Sequence, residues 1–239
     1  MQLRRGDVLD GAMAILDEYG LADLTMRRLA TSLGVQPGAL YWHFPNKQTL
    51  LGAMADRILE GVDAPVSSER WDDGIAELAH RLRTALLAHR DGAELVAATY
   101  ASRMTSTLAR ESFVGAGVRA GLPRPYAELA AYTLLYFVLG HTVDEQSRAQ
   151  MEAVGALTRA PASPDTETAA DVGSDDDLLD GDPQVRFDFG LALFIDGVRA
   201  GWRPVPRPPA EKSVRAPLPS AARRWGGRSR TRRSRYTLP

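Results

Sequence analysis

The sequence predicts an all-α protein that combines a small N-terminal three-helix unit with a larger helical body. Apolar residues recur at intervals of three and four along most of the first 202 residues, which is the period of amphipathic helices. No segment shows the sustained alternation of apolar and polar residues that a half-buried strand requires. Glycine, proline and cap-forming side chains interrupt the periodic segments where helices are expected to begin and end.

Composition limits the classes of protein to which the chain can belong. Its 239 residues are 44% hydrophobic, which is enough for one or two globular domains. The absence of cysteine excludes disulfides and thiol nucleophiles, and it favours a reducing compartment. The first residues lack the pattern of a signal peptide, and the longest uncharged apolar run, residues 129–143, is too short to span a bilayer. We therefore expect a cytoplasmic protein without a membrane segment.

The formal net charge of −1 conceals an asymmetry along the chain. Residues 203–239 hold eleven of the 29 basic residues and one of the 30 acidic residues, which leaves a net charge of −11 on residues 1–202. This C-terminal segment is also rich in proline and arginine, so the sequence predicts a disordered basic tail.

Residues 3–60 predict the N-terminal unit. Its first helix ends at Gly20 and carries one apolar face, formed by Val8, Ala12, Ile15, Leu16 and Tyr19. Thr25 is placed to cap the second helix, which ends at Gly34. Pro37 suits the first position of a short third helix, because its missing N–H leaves no hydrogen bond unmade there. Asn46 is placed to cap a fourth helix.

Four rings stand at the end of the third helix, in the segment GVQPGALYWHFPNKQTLL of residues 34–51. A helix, a tight turn and a second helix are typical of a helix-turn-helix unit, whose second helix enters the major groove of DNA. Leu40 and Phe44 are four residues apart, so we expect both to face the core. Tyr41, Trp42 and His43 then lie on other sides, where exposed rings can pack on sugars and bond phosphates.

Basic side chains flank these rings. Lys47 follows the Asn46 cap and can reach a phosphate, and Arg27 and Arg28 project from the second helix. An aromatic run can also pack in a core or a dimer contact. Its position within the first 60 residues, before an acidic helical body, favours DNA. The candidate DNA-contacting residues from this pattern are Thr25, Arg27, Arg28, Tyr41, Trp42, His43 and Lys47.

The body, residues 61–202, is predicted to be helical as well. One apolar stripe runs through Ile75, Leu78, Ala79, Leu82, Ala85 and Leu86. Further helices are expected over residues 93–100 and 105–120. Residues 126–140 are apolar nearly all round, which predicts a helix buried on most sides. Residues 155–183 lack periodicity and predict a flexible loop, and a last helix follows to about Trp202.

The segments Leu24 to Ala30 and Leu40 to Phe44 carry a resemblance to a known family. Residues 3–60 resemble the DNA-binding domain of TetR-type transcriptional regulators, and residues 61–202 resemble the C-terminal domain of the tetracycline repressors in that family. The resemblance implies a homodimer with two DNA-binding heads and an effector cavity in each body. It also implies that the tip of the recognition helix, at Pro37, Gly38 and Ala39, contacts DNA. It also implies a repressor released from a palindromic operator by a small molecule, such as an antibiotic or a lipophilic metabolite.

The effector region departs from the family pattern. Tetracycline repressors hold a drug–magnesium chelate with two histidines, and the matching positions here are Asp63 and Val96. Neither residue supplies the neutral nitrogen that those contacts use. We therefore expect a more apolar pocket with no metal and no cofactor, and a tetracycline–magnesium chelate stays as the alternative effector. The candidate effector-binding residues are Asp63, Leu78, Leu82, Val96, Thr99, Arg103, His141 and Asp144.

Alternatives from other classes remain at this point. An enzyme is not expected, because the four histidines lack metal-ligand spacing and the chain has neither a phosphate loop nor a nucleophile elbow. A constitutive architectural or non-specific DNA-binding protein is the second alternative. The acidic body argues against it, because a negative domain repels DNA. The basic tail either adds salt-dependent DNA affinity or has no role in binding.

Overall fold

The computed structural model describes residues 3–102, 104, 108–155 and 182–200, and within them it contains nine helices and no strand. The prediction of an all-α fold is confirmed. The helices are α1 (Arg5–Tyr19), α2 (Met26–Ser32), α3 (Pro37–Tyr41), α4 (Lys47–Ile58), α5 (Trp71–Leu87), α6 (Gly92–Ala101), α7 (Leu108–Arg119), α8 (Arg124–Ala153) and α9 (Pro183–Arg199).

The predicted caps of the N-terminal helices are present. The Thr25 hydroxyl accepts the N–H of Arg28 at 3.1 Å, and the Asn46 side chain accepts the N–H of Thr49 at 2.8 Å. Each bond satisfies one of the donors that a helix N-terminus leaves without an intrahelical partner. Pro37 occupies the first turn of α3 as predicted. These caps set the start of α2 and of α4.

The body is built around α8, a helix of 30 residues that packs against α5, α6 and α7. One face of α8 is buried, and its buried residues are Ala127, Ala131, Leu134, Leu135, Val138, Leu139 and Thr142. The opposite face is open: Leu129 is 63% exposed, Tyr132 50% and Tyr136 41%. The prediction that residues 126–140 are buried on most sides is therefore wrong for a single chain. The apolar character of the second face indicates a surface that another molecule covers.

Helix α9 lies on α5 and α8, and Phe187 is its central contact. Phe187 is fully buried between Phe137 and the two histidines His80 and His141, with ring centroids 5.3–5.5 Å apart. The other face of α9 carries exposed apolar side chains, namely Val185, Phe189 and Leu193. Helix α9 packs on α8 and, like α8, leaves an apolar face open. Open apolar faces on two packed helices are what a four-helix interface in a homodimer requires.

Polar contacts hold α9 in place at both ends. Near its start, Gln184 accepts a hydrogen bond from Arg83, whose guanidinium also makes two hydrogen bonds to Glu145. Near its end, Arg199 binds the carboxylate of Asp72 at 2.8 Å. Hydrogen bonds from Arg199 and then from Arg70 lower the pKa of Asp72 to about 2. Asp72 therefore stays ionised, and keeps these bonds, down to strongly acidic pH.

Several predictions concern residues that the structure does not describe. Arg103, most of the 155–183 segment, the start of the 105–120 helix, Trp202 and the 203–239 tail all lie outside the described residues. The final helix is described as far as Arg199. Within the described part of the chain, no helix is long and apolar enough to cross a membrane.

Candidate DNA-binding head and effector region

The four aromatic residues at the end of α3, residues 41–44, differ in burial. Leu40 and Phe44 are fully buried, whereas Tyr41 is 48% exposed and Trp42 is 90% exposed. His43, which the sequence predicts to be exposed, is half-buried. The division follows from helical geometry, because residues four apart share one face of a helix. Helix α3 packs on α2. Trp42 is the largest of the exposed rings, and the fold gives it no packing role.

The first turn of α3 is also accessible. Pro37 and Gly38 are exposed and Ala39 is half-buried. No atom lies within 4 Å of the position that a Cβ on Gly38 would occupy, so the backbone there is open to an approaching surface. These residues offer no side-chain hydrogen bond, so a base edge would meet only methyl and methylene groups there.

The basic side chains of this region differ in their partners. Arg27 is exposed and Lys47 is half-buried, and neither has an acidic partner among the residues that the structure describes. Arg28 instead points back towards α1, where its guanidinium pairs with Asp23 at 2.6 Å and stacks 3.7 Å above the ring of Tyr19. The outward projection predicted for Arg28 is therefore not seen. Thr25, Arg27 and Arg28 nevertheless line one cleft of about 530 Å³.

The seven candidate effector residues that the structure describes do not form one polar site. Leu78, Leu82 and Val96 are buried in the apolar core of the body. Thr99 is buried too, and its hydroxyl donates to the carbonyl oxygens of the preceding turn of α6. Asp63 is exposed and lines an open cleft of about 390 Å³ together with Leu78. The surroundings of these residues are mainly apolar.

The candidate Asp144 and its neighbour Glu145, both on α8, have separate partners. Asp144 is 60% exposed and pairs with Arg148 at 3.0 Å. Glu145 pairs with Arg83 on α5, at 2.7 Å. Across the described ranges, no group of three histidine or acidic side chains is arranged to hold a metal ion.

His141 is the least satisfied polar side chain in the body. Both ring nitrogens are buried and lack a hydrogen-bond partner, and the nearest carboxylate oxygen, on Glu145, is 3.9 Å away. Burial lowers the pKa of His141, and the positive charges of Arg83 and Arg186 act in the same direction. The carboxylates of Glu145 and Asp144 oppose that shift. The ring is therefore neutral at physiological pH.

A pH prediction follows for His141. In the unfolded chain a histidine has a pKa of about 6.5, so on acidification the unfolded state binds the proton first. We expect the free energy of unfolding to fall as the pH drops below about 6.5, until the lower folded pKa is passed. Urea unfolding of the wild type and of His141→Phe at a series of pH values measures this effect. An equal pH dependence in both proteins would contradict it.

The junction between head and body depends on Asp91, a residue that sequence reasoning missed. One carboxylate oxygen accepts the N–H of Leu21 in the head at 2.7 Å, and the other accepts the side-chain N–H of Gln150 on α8 at 2.5 Å. Asp91 has φ +54°, a left-handed conformation in which aspartate is better tolerated than most residues. Gly20 makes room for it, because a Cβ there would lie 2.7 Å from the Asp91 oxygen.

Neighbouring contacts strengthen this junction. His89 lies 3.0 Å from the carboxylate of Asp17, and Arg90 donates to the backbone carbonyl of Glu18 at 3.1 Å. Gln146 on α8 holds the same turn through the carbonyl oxygens of Leu86 and His89. His89 thus contacts the head. The turn between α5 and α6 therefore connects α8 to α1.

Removing the Asp91 carboxylate is expected to weaken this junction. Asp91→Ala leaves the Leu21 N–H and the Gln150 amide without an acceptor and puts alanine in a left-handed conformation, at a cost of about 1–3 kcal/mol in the free energy of unfolding. Asp91→Asn keeps one carbonyl oxygen and tolerates the backbone, so we expect a smaller loss. Urea denaturation of both variants tests this prediction. Identical midpoints for Asp91→Ala and wild type would contradict it.

Comparison with known proteins agrees with this architecture. Residues 8–54 match the family model for bacterial regulatory proteins of the tetR family, and residues 64–201 match the tetracyclin repressor-like C-terminal domain. The chain is 35% identical over 204 residues to the class A tetracycline repressor protein from transposon 1721 of Escherichia coli. That alignment covers 82% of this chain and 91% of the relative.

Solved structures give the same result. The crystal structure of BioQ from Mycobacterium smegmatis superposes with a TM-score of 0.71 and 45% sequence identity, over 83% of this chain and 99% of that one. A structure of BioQ with its double-stranded DNA operator superposes with a TM-score of 0.67 and 42% identity over the same shares. The chain therefore belongs to the tetR family of bacterial regulatory proteins, as a DNA-binding transcriptional regulator.

Proposed function

We propose that the protein is a ligand-responsive repressor that binds a palindromic operator as a homodimer in the cytoplasm and has no catalytic activity. The observation that carries the proposal is the division of the rings after α3. Phe44 is fully buried while Trp42 is 90% exposed, and Arg27 and Lys47 have no acidic partner among the residues that the structure describes. A ring left in water by a recognition helix, together with free basic side chains, supports a contact with DNA sugars, bases and phosphates.

The proposed DNA contacts combine two kinds of group. Arg27 and Lys47 supply charge for phosphates or a base edge, and Tyr41, Trp42 and His43 supply rings and hydrogen-bond donors. Thr25 and the α3 residues Pro37, Gly38 and Ala39 complete the surface. Arg28 belongs to this set only if it leaves Asp23 and Tyr19 when DNA binds. Because Gly38 and Ala39 offer no base-specific hydrogen bond, we expect the operator to differ from that of the tetracycline repressors.

The effector is proposed to be a mainly apolar small molecule. Magnesium does not fit the residues that occupy the family's chelate positions: Val96 is buried and apolar, Asp63 is exposed, and Asp144 is paired with Arg148. Thr99 has both of its hydrogen bonds within α6. Polar selection of the effector would then rest on His141 and on Arg103. We infer that neither a tetracycline chelate nor another metal complex is the effector.

The domain organisation is proposed as predicted, with a head at residues 3–60, a body at 61–202 and a basic tail at 203–239. The helix α4 joins head and body and is the proposed lever. Its Gly52 meets the segment after α6 closely, since a Cβ on Gly52 would lie 2.4 Å from the carbonyl oxygen of Met104. An effector that shifts α6 would therefore displace α4 directly.

Release from DNA requires the effector to favour one head spacing over another. Heads that bind successive major grooves on one face of B-DNA stand about 34–36 Å apart. An effector lowers DNA affinity only if it binds more tightly to a state with a different spacing, and such coupling is typically about 1–3 kcal/mol. Distances between spin labels on the two heads, with and without effector, test the lever. An unchanged distance would exclude it.

The first experiment is a footprint of the purified protein on the promoter region that flanks its own gene. It is repeated with antibiotics and lipophilic metabolites, each with and without magnesium. Protection of a short palindrome, relieved by one compound, supports the proposed function. Protection that no compound relieves favours the alternative, a constitutive architectural or non-specific DNA-binding protein. Relief only in the presence of magnesium would contradict the inference about the effector.

A further inference from the structure

The first residue of α1, Arg5, lies on the ring of Phe44. Its guanidinium carbon is 4.3 Å from the ring centroid, within the range of a cation–π contact. Phe44 is fully buried although it directly follows the exposed rings, and Arg5 is an exposed residue that covers it. The start of α1 and the end of the recognition segment therefore meet at one point on the surface of the head.

Arg5 has no acidic partner among the described residues. Asp7, the acid in the first turn of α1, accepts the backbone N–H of Arg4 at 2.8 Å and acts as part of the cap. Stacking on a ring engages the face of the guanidinium and leaves the N–H donors at its edge available. The contact thus orients a positively charged group without neutralising it, and it lowers the entropy that a later bond would cost.

Other arginines of the head are engaged differently. Arg28 pairs with Asp23 at 2.6 Å, and Arg57 pairs with Asp10 at 3.2 Å and with Glu60 at 3.8 Å. Like Arg27 and Lys47, Arg5 has no acidic partner within the described ranges. The ring that Arg5 contacts, Phe44, lies three residues before Lys47 in the chain.

We propose that Arg5 is a phosphate-binding residue of the DNA interface, oriented by the ring of Phe44. The proposal rests on the proposed function, because it extends the same DNA surface from α2–α4 to the start of α1. Each protomer then adds one phosphate contact outside the helix-turn-helix. A phosphate contact carries no sequence information, so Arg5 contributes to affinity on any duplex that the heads can bind.

The test is a salt titration of DNA binding with the full chain and the promoter duplex defined by the footprint. Neutralising one phosphate contributes about −0.9 to the slope of log K against log salt concentration. Arg5→Gln removes two contacts from a dimer, so we expect the slope to become about 1.8 less negative. Arg5→Lys keeps the charge and is expected to keep the slope. Arg57→Gln removes the same charge from a paired arginine and serves as the matched control.

The outcomes separate this inference from the proposed function. A flatter slope for Arg5→Gln alone supports the phosphate contact. Equal slopes for Arg5→Gln, Arg57→Gln and wild type would overturn it while leaving the operator-binding function intact. An unchanged slope with altered discrimination between operator and mismatched duplexes would also overturn it, because Arg5 would then read a base. If the wild type binds no discrete site, the proposed function itself fails.

Discussion

The substitution Trp42→Ala is expected to weaken operator binding by about 30- to 1,000-fold and to leave the stability of the fold almost unchanged. The ring is 90% exposed, so its removal creates no cavity, and the free energy of unfolding should stay within about 0.5 kcal/mol of the wild type. A base or phosphate contact contributes about 1–2 kcal/mol per protomer, and a dimer loses two of them. Fluorescence anisotropy with a labelled operator measures the affinity, and urea denaturation measures the stability.

A substitution at the buried ring of Phe44 is the control for Trp42→Ala. Phe44→Ala empties a fully buried site in the head core, which costs about 3–5 kcal/mol in the free energy of unfolding. The two variants should therefore separate cleanly: one loses DNA affinity with normal stability, and the other loses stability first. If Trp42→Ala retains wild-type affinity, the exposed ring is not part of the DNA surface. The alternative, in which the aromatic run packs in a core or a dimer contact, would then be favoured.

The substitution Phe189→Arg is expected to convert the dimer to a monomer. Phe189 is 66% exposed on the apolar surface that α8 and α9 present, so the substitution leaves the single chain folded. In a symmetric dimer it would bury two unpaired charges among apolar side chains such as Leu193 and Leu129. Loss of the second head removes the gain from bivalent binding, which is about 100- to 10,000-fold in operator affinity. Sedimentation velocity and anisotropy measure the two effects.

A charge reversal elsewhere on the body is the control for this variant. Glu94→Arg alters an exposed residue of α6, away from the apolar surface of α8 and α9. It is expected to remain dimeric and to bind the operator at least as tightly as the wild type. If Phe189→Arg sediments as a dimer, the open faces of α8 and α9 are not the subunit interface, and another surface must hold the two copies together.

Structural features that depend on residues close together in the sequence could be predicted from the sequence. The caps at Thr25 and Asn46 involve residues three positions apart, so the residue types and their spacing were sufficient. The burial of Leu40 and Phe44, with Trp42 exposed, follows from the helical period. In the body, the helical period alone was not sufficient to predict which faces are buried. An apolar face on α8 or α9 predicts that something covers it, but the pattern does not say whether the cover is this chain or a second copy.

What the sequence by itself determined is therefore the all-α class, the caps that begin the helices of the head, and the burial of Leu40 and Phe44 beside the exposed Tyr41 and Trp42, because local geometry governs all three. Only the tertiary structure decided which distant groups meet. Asp91 binds Leu21 across 70 residues, and Arg83 binds Glu145 and Gln184 across 62 and 101 residues. Such pairs depend on how whole helices pack, and no local spacing encodes that. The same packing turned Arg28 towards Tyr19 and left His141 without a hydrogen-bond partner.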